Sequence, residues 1–312
     1  MSTAEDLRRS PGLVPVAETM RTAERDAPAP PAFQPAPARA GAFWRLLRSE
    51  MGLTFRRPRN LAMLGVIGLV PVLIGVVVRL MGSDGAEGGA GGIISAMAGN
   101  GLVLAFASLF MLVPLLLPVV VAVVAGDSIA GEAGAGTLRY LLAAPAGRTR
   151  LLAVKYANAV VFAFAVTFGV AVVALIVGAI LFPVGPVTLL SGTTVSYADG
   201  LVRVAVAAGY VTVGMAALAA VALALSTMTE VAIGAIAATL VLVIVTTVLR
   251  AIPQLDWLAP YLLPTRWTGF DGAMRDPIAW GDMTGGLLAF GAYIGIFCAI
   301  AWARFTGKDI TS

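Results

Sequence analysis

Six apolar runs, each about 20 residues or longer, dominate this chain, and each can cross a hydrocarbon core about 30 Å thick. They occupy 61–80, 102–125, 157–182, 201–225, 231–252 and 284–303. Barrel strands would instead alternate over about 10 residues, so the runs predict helices. Only 12% of the residues are charged, whereas a soluble domain carries about 25%. The expected fold class is an all-α integral membrane protein with six transmembrane helices. Pro114 and Pro118 fall inside the second run and predict a kink there.

The residues that are missing narrow the chemistry. The chain has no His and one Cys, Cys298, inside the last run. That excludes His-based zinc, haem or triad chemistry and any intrachain disulfide, and no metal site is expected. No GxxxxGK[ST] occurs, so the chain has no P-loop of its own. No hydrolytic constellation is present, and catalytic residues are not expected. No Asp, Glu, Lys or Arg sits in the middle of a run; Arg79, Arg203, Arg250 and Arg304 lie near ends, where they can snorkel. Nothing here couples an ion gradient to transport, so any driving energy comes from outside the membrane. The net charge of +4 follows from Arg flanking the runs, and nucleic acid is not an expected partner.

Residues 1–41 read as a disordered, Pro/Ala-rich cytoplasmic tail, because PAPPAFQPAPAR cannot continue a helix and has little to bury. No apolar stretch of signal-peptide type follows its early charges. Residues 42–312 form the six-span domain. Its first part, 42–60, reads as a helix lying in the interface, with Phe43, Leu46, Leu47 and Met51 on one face, Arg45, Arg48 and Glu50 off it, and Trp44 at headgroup level. A plain basic flank that orients the first span is the other reading.

Orientation follows from Lys and Arg. With the N-terminus inside, the inner flanks hold Arg45, Arg48, Arg56, Arg57, Arg59, Arg139, Arg148, Arg150, Lys155, Arg304 and Lys308. The outer flanks hold only Arg79, Arg203, Arg250, Arg266 and Arg275. Both termini are therefore expected in the cytoplasm of a multi-pass protein of the cell membrane. The outer connections are then 82–101, 183–199 and 253–283, the last expected to anchor at the interface through Trp257, Tyr261, Trp267 and Trp280, with a substrate gate as the other reading.

Charge concentrates in GDSIAGEAGAGTLRYLLAAPAGRTRLLAVK, residues 126–155, between the second and third runs. Asp127 is expected to cap a turn, and Glu132 to project from SIAGEAG. Gly134 and Gly136 break the backbone, and Thr137 caps a short helix, LRYLLAA, with an apolar face of Leu138, Leu141 and Leu142. Pro145 and Gly147 end it. Arg148 and Arg150 begin the segment that enters the third span, with Lys155 at its mouth. The spacing fits two readings equally: a solvated turn obeying the positive-inside rule, or a surface that docks another protein.

The pattern D-x-I-A-x-E-x-x-x-G-T-L-x-x-L-L-x-x-P-x-x-R-x-x-L-L-x-x-K, running from Asp127 to Lys155, resembles the hallmark of ABC-2 type permeases, the membrane subunits of ABC exporters. RLLRSEMGLTFRRPRN resembles that family's elbow helix, with Glu50 and Arg57 at its acidic and basic positions, and ARFTGKDI resembles its cytoplasmic end. The resemblance implies a coupling helix that docks on a separate ABC ATPase (nucleotide-binding) subunit. ATP and Mg would be bound there and not by this chain. Asp127, Glu132, Gly136, Thr137, Leu138, Leu142, Pro145, Arg148 and Lys155 would form the coupling region. A second permease copy, or a homologous permease, would complete the path for efflux. Ser226–Glu230 is a candidate second, smaller contact, with a plain solvated turn as the favoured reading. Alternatives from other classes are a secondary carrier and a non-transporting scaffold or sensor that recruits a cytosolic protein. Asn158, Thr167, Tyr210, Thr212, Thr239, Thr246 and Thr247 are candidate path-lining groups, with helix–helix packing as the favoured role. The substrate-binding residues are unknown from sequence.

Overall fold

The computed structural model describes residues 41–81, 99–137 and 147–307. Chain contacts divide it into Met1–Ala38 and Arg39–Ser312, and the description below concerns the second unit. The expected tail, apart from Gly41, and the expected helix LRYLLAA fall outside the described residues.

Helix α1 spans Ala42–Arg56 and α2 spans Pro58–Met81. Pro58 explains the boundary: it forces Arg57 into an extended conformation (ψ 123°) and then starts α2, where its missing N–H is harmless. α3 (Val103–Leu112) and α4 (Leu116–Gly134) together make the second span. The expected kink is a full break at Val113–Leu115, with Leu115 at φ −137°, ψ −58°. Pro114 lies in the gap, and Pro118 sits in the first turn of α4, where it removes no internal bond.

α5 (Arg148–Leu181) has 34 residues, or about 51 Å at 1.5 Å per residue. That exceeds a hydrocarbon core of about 30 Å by several turns. α6 is Tyr197–Met228, α7 is Ala232–Arg250 and α9 is Trp280–Gly307. Between α7 and α9 lie a 3-10 segment, Pro253–Tyr261, the short α8, Leu263–Trp267, and a second 3-10 segment, Thr268–Met274. Among the described residues, six helices are long and apolar enough to span a membrane: α2, α4, α5, α6, α7 and α9.

α6 is the central post. It packs against α4, α5, α7 and α9, and 78% of its most apolar stretch is buried, against 17% for α7 and for α9. Its Ala-rich run permits this, since in lipid small side chains let backbones approach. The closest approach is elsewhere: Gly101 and Gly178 touch backbone to backbone, and a Cβ at either would overlap the other's carbonyl. Thr212, Thr239, Thr246 and Thr247 donate to carbonyls in their own helices, and Tyr210 donates to Arg266 O at 2.7 Å. The four threonine hydroxyls are thus satisfied within their own helices, whereas the buried Thr167 hydroxyl has no hydrogen-bond partner.

At the Gly101 end of the bundle, two short strands, β1 (Val187–Thr188) and β2 (Thr194–Val195), form an antiparallel hairpin that the sequence reading treats as plain loop. Arg203 corrects the snorkelling expectation. It is 5% exposed, pairs with Asp199 (2.7 Å) and Asp276 (3.1 Å), and donates to the carbonyls of Ala273 and Arg275. Trp267 is a second correction: it is fully buried against Gly214 and not an interfacial anchor, whereas Trp257, Tyr261 and Trp280 are exposed.

Candidate functional site

The charged residues gather at the opposite end, where α1, the start of α2, the end of α4 and the start of α5 converge. Lys155 lies in the second turn of α5 and is 4% exposed. Its Nζ donates to Glu50 Oε2 of α1 at 2.7 Å and to Glu132 Oε1 of α4. A lone ammonium buried this deeply would be strongly disfavoured; two carboxylates compensate it. Beside this group, Asp127 Oδ2 accepts from Arg57 Nη1 (2.9 Å) and Arg59 Nη2 (2.8 Å). Those guanidiniums are half exposed, so the pairing is worth about 0–1 kcal/mol per ion pair and serves more to position than to stabilise.

Thr54 links the neighbouring amides. Asn158 Nδ2 donates to its Oγ1 at 2.7 Å and Asn60 Nδ2 to its carbonyl at 2.9 Å. Together these side chains line an open pocket of about 320 Å³, reaching from Lys155 and Asn158 to Arg57 and Arg59. Among the described residues no group of three or more His, Cys, Asp or Glu is placed to hold a metal ion.

Two sequence expectations need correction here. The second span does not end at residues 125–126: α4 continues to Gly134, so Asp127 and Glu132 are helical residues and neither caps a turn. DSIAGEAG stays helical throughout, and α4 closes only at Gly136, which adopts φ 68°. Gly136 N then donates to Ala133 O and Thr137 N to Glu132 O, both at 3.0 Å, a Schellman closure. Thr137 therefore closes α4; the helix it was expected to cap, with Leu138, Leu142 and Pro145, lies outside the described residues. The other correction is Glu50. It was placed off the buried face of α1, yet Leu47, Glu50 and Thr54 are the residues that α1 buries.

Arg148 begins α5 directly after Gly147 (φ 76°), and its Nη1 donates to Thr306 O of α9 at 2.8 Å. Trp302 Nε1 donates to Thr149 Oγ1 at 3.1 Å, so the end of α9 is joined to the start of α5. The Ser226–Glu230 segment is not all turn, because α6 runs on to Met228. Ser226 was unremarkable in sequence. Its Oγ donates to Gly126 O (2.7 Å) and accepts from Ile129 N (3.2 Å) and Ala130 N (2.9 Å). One hydroxyl of α6 is thus inserted into the backbone ladder of α4. Close by, a Cβ at Gly126 would crowd the α7 backbone at Ile236.

A different cavity, about 460 Å³, lies among α6, α7, α8 and α9. Its lining is apolar, including Leu218, Leu242, Val243, Leu263, Ile296 and Phe297. The hydroxyls at its edge are engaged: Thr246 with Leu242 O and Tyr293 with Tyr261 O.

The fold and its apolar helices define a multi-pass, all-α membrane protein. The chain belongs to the DUF2705 family, described as a protein family of unknown function, whose model matches residues 86–311. No curated protein matches the sequence.

Proposed function

We propose that this chain is an ABC-2 type permease, the membrane subunit of an ATP-driven exporter in the cell membrane, with both termini cytoplasmic. It is not itself an enzyme in this reading. A separate ABC ATPase holds ATP and Mg, and a second permease copy or a homologue completes the path. Lys155 is the observation that carries the proposal. Its two ion pairs join α1 to the end of α4 and the start of α5, and the latter two helices bracket residues 138–146. A displacement of that bracketed segment passes into three helices as one body and is not lost in slack linkers. Ser226 then connects α4 to the central α6.

Glu132 has an internal partner in Lys155, so its role in this reading is to hold the end of α4, and Leu138 and Leu142 remain the residues that the resemblance assigns to docking. The apolar cavity suits a hydrophobic or amphipathic cargo.

Leu142→Asp places a charge in the segment that the resemblance assigns to docking and leaves Glu50, Glu132 and Lys155 unchanged. Tagged full chain is expected to co-purify with a Walker A protein encoded beside it, and Leu142→Asp to reduce that recovery about tenfold, the equivalent of about 1.4 kcal/mol. Equal recovery with the variant would refute the docking face. Substrate-stimulated ATP hydrolysis in the reconstituted pair separates a permease from a scaffold; gradient-driven transport by this chain alone would make it a carrier.

Orientation is tested with Thr149→Cys in a Cys298→Ala background. Thr149 is exposed at the start of α5. A membrane-impermeant maleimide is expected to label it only after the cytoplasmic face is opened. Labelling from intact cells would reverse the topology and remove the ATPase from reach.

A further inference from the structure

The charged pocket is neutral in sum but dipolar. Its buried half, Lys155 with Glu50 and Glu132, holds two carboxylates against one ammonium. Its exposed half, Asp127 with Arg57 and Arg59, holds two guanidiniums against one carboxylate. Surplus negative charge therefore sits inside and surplus positive charge at the rim.

The buried half is also short of donors. Asn60 Oδ1, Asn158 Oδ1 and Glu132 Oε2 are buried and have no hydrogen-bond partner, and all three residues line the pocket. Asn60 is 2% exposed and Asn158 5%. Buried acceptors left unmade are costly, so they call for a ligand that brings N–H or O–H groups. The volume, about 320 Å³, has room for about ten waters or a small polar group of that size.

The pocket lies where the apolar spans α2 and α5 begin, with Asn60 and Asn158 in their early turns, the depth at which a phospholipid of the adjoining leaflet presents its phosphate and headgroup nitrogen.

We propose that this pocket binds the headgroup of an ethanolamine phospholipid. Its phosphate pairs with Arg57 and Arg59, and its ammonium donates to the orphaned oxygens of Glu132, Asn60 and Asn158. The chemistry recognised is a phosphoethanolamine zwitterion. A choline headgroup matches the charges but has no N–H donor and leaves the acceptors unmade. An anionic headgroup without an amine meets the surplus carboxylate. The proposal stands whether or not an ATPase docks on the chain.

The test uses the full chain in vesicles of ethanolamine and choline phospholipids, equal in amount and identical in acyl chains. After detergent extraction, intact protein with retained lipid is weighed by native mass spectrometry. The ethanolamine lipid is expected to be retained about tenfold over the choline lipid, with a stepwise fall through the monomethyl and dimethyl headgroups. Asn158→Leu is expected to bring the ratio close to one; Arg57→Gln with Arg59→Gln is expected to lower retention of both lipids. The methylation series needs no variant, so it decides even if a substitution prevents folding. Soluble glycerophosphoethanolamine at matched concentration is expected not to displace the lipid; displacement at parity would assign the pocket to a soluble ligand. Equal retention of the two lipids, or none of either, overturns the proposal.

Discussion

Lys155→Met should lower the thermal midpoint of the detergent-solubilised protein by about 10 °C. The substitution keeps the length of the side chain but strands Glu50 and Glu132, which Lys155 holds in a site where it is itself 4% exposed. Removing one partner of a buried ion pair costs about 3–5 kcal/mol, and each kcal/mol moves the midpoint of a chain this size by about 2–4 °C. The loss comes from uncompensated carboxylates more than from a missing attraction. Adding Glu50→Gln and Glu132→Gln to Lys155→Met should therefore restore most of the midpoint, since the triple variant buries no unpaired charge. A single variant that melts within 2 °C of the parent would mean the carboxylates are not held as described; the margin is about the shift of 1 kcal/mol.

Gly178→Ala should be nearly as damaging despite adding one methyl group. The Cβ would overlap the carbonyl of Gly101, and backbone cannot rotate aside as a side chain can. Gly101 N also donates to Pro183 O at 3.1 Å, so retreat of that strand of chain would break another bond. Overpacking of this kind costs about 1–3 kcal/mol, and a backbone obstacle belongs at the upper end. The control is Gly169→Ala in the same helix, where nothing lies within 4 Å of the new Cβ. It should leave the midpoint unchanged or raise it slightly, because Ala favours helix over Gly. If the two variants melt alike, the α3–α5 contact is not close-packed.

The six spans were legible because hydrophobic length is a local property. Helix ends were legible only in part. The basic stretch from Arg148 to Lys155 reads as a helix re-entering the membrane, and, with no residue in it that breaks a helix, α5 does start well before the apolar run. Asp127 and Glu132, by contrast, were misread as turn residues. Charge suggests water, whereas their partners, Arg57 and Arg59 for one and Lys155 for the other, let them stay in a helix among buried neighbours. Glu50 and Lys155 are 105 residues apart, and no local pattern joins them. A hint existed in the placement of Glu50 three residues after Leu47 and four before Thr54, on one helical stripe. Trp267 failed in the other direction: interfacial logic suited Trp257 and Trp280, but Gly214 makes room for Trp267 inside.

The break at Val113–Leu115 gives the second span a mechanical asymmetry. α4 is gripped at its charged end by Lys155 and farther along by the Ser226 hydroxyl, while α3 is seated against α5 through Gly101 and Gly178. α4 and α6 are therefore tied as one unit, and the break beside Pro114 separates that unit from α3.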